Sequence, residues 1–372
     1  MAIKVEYENL QKLNQSFQDE FQSELKNFLD RGWYILGKEV ENFQNEFAAY
    51  NDMKYCIGVA NGLDALILSL KALELKPGSE VIVPSNTYIA TILSIVACGH
   101  IPVLVEPNLK TYNIEAGEIR KKINSKTSAI MLVHLYGKSC KMDEIIQLAN
   151  EFQLPVIEDC AQAHGATYKG RKAGTWGILN AFSFYPTKNL GCLGDGGAIL
   201  TNDDVLAEKL YALRNYGSEK KYYNKYIGLN SRLDEIQAVF LRIKLQKLDL
   251  INQHKRNLAA IYFENLSPEF ILPEIHPDFS DVFHIFNIRH EDRDALKNYL
   301  ESNGIKTEIH YPVPPHEQVA YKHLFNAKFP ISEQIHRTTL SLPVSYCHSE
   351  TDIHLVADAL NAFAKLHLKK II

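Results

Sequence analysis

The chain has 372 residues, of which 46% are apolar, 10% aromatic and 23% charged, with a formal net charge of -4. That balance excludes a disordered, collagenous or coiled-coil chain, and without a basic excess nucleic-acid binding has no electrostatic support. At about 150 residues per domain, the length accommodates two domains or one large domain with an appendage.

The opening stretch MAIKVEYENLQKLNQ is charged throughout and lacks the apolar centre of a secretory signal. No run of about 18 consecutive apolar residues offers a membrane span. Cys56, Cys98, Cys140, Cys160, Cys192 and Cys347 are scattered, with no CxxC pair. They read as reduced thiols, and the expected location is the cytoplasm. Neither HExxH nor paired Cys/His spacing is present, so no dedicated metal site is expected.

Leu13, Phe17, Phe21, Leu25 and Phe28 recur at helical spacing, and Gly32 is placed to end that helix in a left-handed cap. Val40, Phe43, Phe47 and Tyr50 mark a second helix. Short β-rich runs then alternate with helical segments. YCIGV (55–59) precedes a helix to about Leu73, and EVIVP (80–84) precedes one to about Cys98. IPVLVEP (101–107), AIMLVHLYG (129–137), PVIEDC (155–160), AFSFY (181–185) and GGAILTND (196–203) follow. Continuous apolar runs are strands buried on both faces, and their alternation with helices predicts a mostly parallel sheet sandwiched by helices. From Asp204 to about Leu266 the pattern is helical, interrupted by the polar loop SEKKYYNKYIGLNS. The last hundred residues read as a smaller α+β unit. Its candidate strands are VFHIFNIRH (282–290) and IKTEIHYP (305–312), and its final helix opens at Ser349 with Asp352 completing a capping box. The expected division is a large domain over 1–250 and a small one over 251–372.

The chemistry concentrates in Ser183-Phe-Tyr-Pro-Thr-Lys188-Asn-Leu-Gly191. A lysine just after a buried strand can be held in a cleft, where desolvation lowers its proton affinity and makes it a nucleophile toward a carbonyl. A solvated loop lysine is the blander alternative. Glu158 and Asp159 end an apolar strand, at the edge where α/β sheets bind ligands. One of them could pair with a protonated ring nitrogen, and they point to opposite faces, so only one can do so. A helix cap or surface ion pair is the commoner role for such an acid. Asn61-Gly62-Leu63 opens a helix whose backbone N–H groups could cradle a phosphate, with Ser183 adding a hydroxyl. The stretch has neither a dinucleotide fingerprint nor a P-loop, which disfavours a nicotinamide-dependent oxidoreductase. Tyr88, just beyond EVIVP, could stack on a flat ring.

Taken in order, NGLDAL, SNTYIAT, VEPNLKTYNI, HLYG, EDCAQAHGA, FSFYPTKNLG, GDGGAI and GLNSRLDEIQA resemble the DegT/DnrJ/EryC1/StrS family. These are pyridoxal-phosphate sugar aminotransferases of fold type I, the aspartate aminotransferase class. The resemblance runs from about Trp33 through HYPVPPH (310–316) to the C-terminus. It implies that Lys188 holds pyridoxal 5'-phosphate as an imine and shuttles the proton during transfer. Asp159 would pair with the pyridine nitrogen, Gln162 with the ring hydroxyl, and Tyr88 would stack on the ring. Gly62, Leu63 and Ser183 would hold the phosphate, joined by Asn230 from the other subunit of a homodimer. The family's turn is commonly Ser-Gly-Thr, so Leu63 here is left with a backbone role only. Tyr216, His310, Tyr311 and His316 are the implied substrate contacts.

The implied reaction moves an amino group from L-glutamate to a dTDP-linked keto-sugar. It resembles most the amination of dTDP-3-keto-6-deoxyhexoses to dTDP-3-amino-3,6-dideoxyhexoses for surface glycans or antibiotic sugars. A 4-keto-sugar aminotransferase and a cofactor-binding regulatory protein without turnover are the alternatives. A dehydratase of the same scaffold would carry histidine where this chain has Lys188.

Overall fold

Apolar runs of four to seven residues form the strands of one sheet: β1 (Tyr55–Val59), β2 (Glu80–Pro84), β3 (Ile101–Val105), β4 (Thr127–Val133), β5 (Val156–Asp159), β6 (Leu179–Ser183) and β7 (Gly197–Thr201). The computed structural model describes the backbone of residues 3–371 and the side chains of residues 3–366. The spatial order is β1-β7-β6-β5-β4-β2-β3. Pairings among β2 to β6 are parallel, whereas β7 runs antiparallel to both β1 and β6. The carboxyl ends of β1 to β6 therefore share one edge.

Alternate residues of each strand face opposite sides of the sheet. Val81, Val83, Met131 and Ile157 pack with Leu66, Ile92 and Ile95 of the helices Gly62–Ala72 and Ile89–Ala97. Ile82, Ile130, Leu132 and Val156 pack on the other side with Ile145 and Leu148 of Met142–Phe152. Each such side chain contributes roughly 1.5–3 kcal/mol on burial. A third core anchors β6: Phe43 meets Phe184 edge-on at 5.3 Å, and Phe47 meets Phe182 at 5.1 Å. With both phenylalanines fixed on one side, Ser183 between them turns to the other.

Gly32 caps the helix Gln18–Arg31 in the left-handed region, at φ 65°. The helix Lys38–Tyr50 begins under the carboxylate of Glu235, which accepts from the N–H groups of Gly37, Glu39 and Val40 at 2.7, 3.0 and 2.9 Å. That carboxylate satisfies donors that a helix start leaves open. The final helix opens with the expected reciprocal pair: Ser349 N donates to Asp352 Oδ2 at 2.8 Å, and Asp352 N to Ser349 Oγ at 3.2 Å. Helices Asp204–Leu213, Glu235–Leu245 and Leu248–Asn265 fill the predicted helical region. The loop between the first two carries an unforeseen short hairpin, Ser218–Lys220 with Tyr223–Asn224.

One strand expectation fails. Residues 305–312 make only isolated bridges, Ile305 to Val5 and Glu308 to Ser341. The strand Phe286–Arg289 pairs instead with Thr339–Leu342, antiparallel. Its neighbours Leu258, Tyr262, Leu296, Leu300, Ile353 and Leu360 form a separate core that also takes in Val5. The helix Leu248–Asn265 runs across the 250/251 boundary. Among the described residues no helix is long and apolar enough to cross a membrane.

Candidate active site

A cavity of about 380 Å³ opens at the carboxyl edge of the sheet, lined among others by Gly62, Tyr88, Asp159, Gln162, Ser183 and Lys188. Parallel sheets place ligands at this edge, because strand ends and helix starts meet there.

The period-2 rule separates the two acids of β5. Glu158 is fully buried on one face, where its carboxylate accepts from the N–H groups of Gly174, Trp176 and Gly177 at 2.7, 2.7 and 2.5 Å. His134 Nε2 lies 2.7 Å from the same carboxylate, and His134 Nδ1 accepts from Cys140 N at 3.0 Å. With Nδ1 accepting, Nε2 carries the proton and donates to Glu158. Burial alone would raise the Glu158 carboxyl, but His134 and these backbone donors hold it below the ordinary range. Asp159, 6% exposed, lies on the cavity face. Its Oδ2 accepts from Thr91 Oγ1 at 2.9 Å and its Oδ1 from Ala161 N at 3.1 Å. Burial pushes its carboxyl up, against the lowering effect of those donors and of Lys188. Of the two acids, only Asp159 can meet a ligand.

Lys188 sits in the loop after β6, which is tightened by its own N–H donating to Tyr185 O at 2.8 Å. Burial pushes its amine down from 10.5 to about 8, although the Asp159 charge acts the other way. The sequence reading missed its neighbour, His284, whose Nε2 is 3.4 Å from Lys188 Nζ. Burial, then the Lys188 and Lys255 cations, holds the His284 ring well below its ordinary range, so it is neutral. The only sequence signal was a histidine inside the apolar run VFHIFNIRH.

At the opposite wall the helix Gly62–Ala72 begins. Asn61 caps it, accepting from Asp64 N at 2.8 Å. A Cβ on Gly62 would come within 2.6 Å of Ser183 Cβ, so only glycine lets this helix start lie against the strand end. Gln162 is fixed at both ends of its amide: Oε1 accepts from Tyr136 N at 2.6 Å, and Nε2 donates to Tyr311 Oη at 3.0 Å. The Tyr88 and Tyr311 rings lie 5.1 Å apart. His310 Nδ1 is 2.9 Å from Ser341 Oγ, and burial with Lys188 nearby pushes its ring down to about 4.

Gly62, Leu63, Tyr88, Asp159, Gln162, Ser183, Lys188, His310 and Tyr311 thus line one cavity. Three other expected residues do not. His316 is buried outside that lining, with Nε2 3.2 Å from Glu333 Oε1 and its ring 4.9 Å from Phe329. Tyr216 and Asn230 stand exposed outside the lining, in the segment beyond Asp204–Leu213.

The residues fit pyridoxal 5'-phosphate. A glycine-only helix start beside a serine hydroxyl suits a phosphate. A buried carboxylate with no cation in contact among the described residues suits a ring N–H⁺. A partly deprotonated amine suits an aldehyde.

The sequence profile described as the DegT/DnrJ/EryC1/StrS aminotransferase family matches residues 15–361. The chain is 53% identical to dTDP-3-amino-3,6-dideoxy-alpha-D-galactopyranose transaminase of Aneurinibacillus thermoaerophilus, with 95% of this chain and 98% of that protein covered. It superposes on crystalline DesV of S. venezuelae in complex with a ketimine intermediate at TM-score 0.95, with 44% identity, 98% of this chain and 99% of that chain covered. NtdA of Bacillus subtilis with bound cofactor PMP superposes at TM-score 0.90, with 30% identity, 97% of this chain and 85% of that chain covered. The protein is a member of the pyridoxal-phosphate-dependent DegT/DnrJ/EryC1/StrS aminotransferase family.

Proposed function

We propose that the protein aminates C3 of a dTDP-linked 3-keto-6-deoxyhexose, giving a dTDP-3-amino-3,6-dideoxyhexose, with L-glutamate as donor and 2-oxoglutarate as by-product. The observation that carries this reading is the Lys188 amine, held near pH 8 in the cavity that Asp159 faces, in a chain 53% identical to a transaminase of that sugar class. We place the enzyme in the cytoplasm, working as a homodimer that serves surface-glycan or antibiotic-sugar synthesis.

When bound, the cofactor supplies an electron sink. The chain's own residues do the rest. Asp159 keeps a proton on the ring nitrogen, and Thr91 and Ala161 N–H orient its carboxylate. Gln162 would offer its remaining Nε2 hydrogen to the ring hydroxyl, and Tyr88 would cover the ring. The first N–H groups of Gly62–Ala72 and the Ser183 hydroxyl bind phosphate, with Asn230 of the second subunit completing the cradle. Lys188 Nζ would take a proton from the donor's α-carbon in the first half-reaction and deliver one to the carbon accepting nitrogen in the second. His310 and Tyr311 flank the sugar, and Tyr216 lies on its approach.

The test is spectroscopic and then chemical. Pyridoxal phosphate should give the protein a visible absorbance that L-glutamate bleaches. A colourless protein refutes the reading, and a colour indifferent to glutamate favours a regulatory binder. Turnover of dTDP-3-keto- and dTDP-4-keto-6-deoxy sugars in parallel, with product NMR, decides the carbon; amination at C4 would overturn the C3 assignment.

A further inference from the structure

A second cavity, about 220 Å³, lies beside the first and shares Tyr185, Thr187, His284 and His310 with it. Lys255 opens into it. This lysine sits on the buried stripe of Leu248–Asn265, between Ile251 and Leu258, and is 4% exposed. Its Nζ donates to Asn189 Oδ1 at 2.9 Å and to the His284 carbonyl at 3.3 Å. Among the described residues no carboxylate forms an ion pair with it. Glu8, the acid of the same cavity, accepts through Oε1 from Ser345 Oγ at 2.6 Å and from Asn9 N at 3.0 Å. The direct partners of this ammonium are neutral oxygens, and the Glu8 charge reaches it only across the cavity, so an arriving anion in contact would give it the close counter-ion it lacks.

His284 joins this cation to the reacting amine. Its ring is 3.4 Å from Lys188 Nζ, and its carbonyl takes Lys255 Nζ. An aminotransferase receives two unlike substrates in turn at one place. An amino-acid donor must set its nitrogen beside Lys188 while its carboxylates are neutralised nearby. The hexose ring of the acceptor brings no anion. A space of this size suits a short acid chain and is below the range of pockets that hold larger ligands.

We propose that this second cavity is the carboxylate subsite of the amino donor, with Lys255 as counter-ion and His284 as the wall dividing it from Lys188. The proposal rests on the aminotransferase reading and adds the residues that recognise the donor. Burial pushes the Lys255 amine down to about 8, against the Glu8 charge that raises it, and an anion in the cavity would raise it further.

Lys255→Gln in the holoprotein tests it, with cofactor absorbance confirming an intact site. Calorimetric binding of glutarate, a dicarboxylate that cannot react, should weaken by at least about tenfold. The L-glutamate half-reaction should lose apparent donor affinity by a similar factor. The other half-reaction, amino-form enzyme with keto-sugar, should change by less than about twofold. Unchanged glutarate binding, or equal losses in both half-reactions, overturns the proposal while leaving the aminotransferase reading intact. A wild type that glutamate never bleaches defeats that reading instead. A loss confined to glutamate among L-glutamate, L-glutamine and L-alanine assigns the subsite to the side-chain carboxylate, and an equal loss for all three assigns it to the α-carboxylate. Should the variant fail to load cofactor, wild-type inhibition decides: glutarate should compete with the donor and neutral glutaramide should not, and equal inhibition by both overturns the proposal.

Discussion

Gly62 and Ser183 stand so close that a methyl group on the first would lie 2.6 Å from the Cβ of the second. The start of one helix and the end of one strand thus offer their donors to the same small volume. Gly62→Ala is expected to part them and to weaken pyridoxal phosphate binding by at least about tenfold, because aligned N–H donors lose their common target. Absorbance titration of the cofactor-free protein reads the change, and an unaltered dissociation constant would show that phosphate sits elsewhere.

Lys188 makes a pH prediction. Only the neutral amine attacks an aldehyde. Lowering the amine to about 8 from 10.5 raises its neutral fraction at pH 7 from about 0.03% to about 10%. The rate of cofactor attachment should therefore climb with pH and level off above about 8. Asp159→Asn removes the one charge that raises this amine's proton affinity, so the inflection should move to lower pH. A stopped-flow profile still rising at pH 10 would contradict the environment described for Lys188. Lys188→Ala should cost about 10²–10⁴-fold in turnover through loss of the proton shuttle, and full activity would refute its role.

The two acids of β5 should fail in different ways. Asp159→Asn is expected to keep the fold and lose activity. Glu158→Gln is expected to do the reverse damage. Glu158 accepts from three backbone N–H groups and His134, and an amide placed there turns an NH₂ toward donors it cannot serve. Each unpaired group costs about 1–3 kcal/mol, so thermal unfolding should fall by several degrees. Equal melting temperatures for the two variants would break the distinction.

Much of this was legible because strands buried on both faces cannot hide: the consecutive apolar residues within EVIVP and AIMLV stand out. Direction is different. Nothing in GGAILTND states that β7 runs against its neighbours, since pairing sense is decided by the chain path. TLSL (339–342) escaped notice because four residues abutting a helix carry too little pattern, whereas IKTEIHYP alternates well yet bridges only at two points. In the site, Lys188 and the pair Glu158 and Asp159 were readable from their place at strand ends, and the family resemblance chose Asp159 between the two acids. Lys255 and His284 were not, because one sits in a helix and the other in an apolar run, and neither adjoins a motif. A usable signal did exist: a lysine repeating at the spacing of Leu248, Ile251, Leu258 and Tyr262 lies on the buried stripe of its helix.

Asn230 gives a test of shared sites. We mix Lys188→Ala chains with Asn230→Ala chains, each poorly active alone. If Asn230 serves the other subunit's phosphate, every heterodimer regains one fully wild-type site and one doubly altered site, so about half of normal activity per heterodimer returns. If it serves its own chain, no wild-type site forms and activity stays low. Kinetics of purified, differently tagged heterodimers separates the two outcomes.

The six strands β1 to β6 end along one edge, and the cavity lies there, walled by segments that leave it and by His284, His310 and Tyr311 from the C-terminal part of the chain. Among the described residues the opposite edge lines no part of that cavity. Such a division separates evolvability from foldability: loops at the working rim can be exchanged to admit a new sugar, while the apolar runs that guarantee a folded product stay untouched. Diversification among paralogues should then fall on residues such as His310 and Tyr311 long before it reaches Ile82 or Met131.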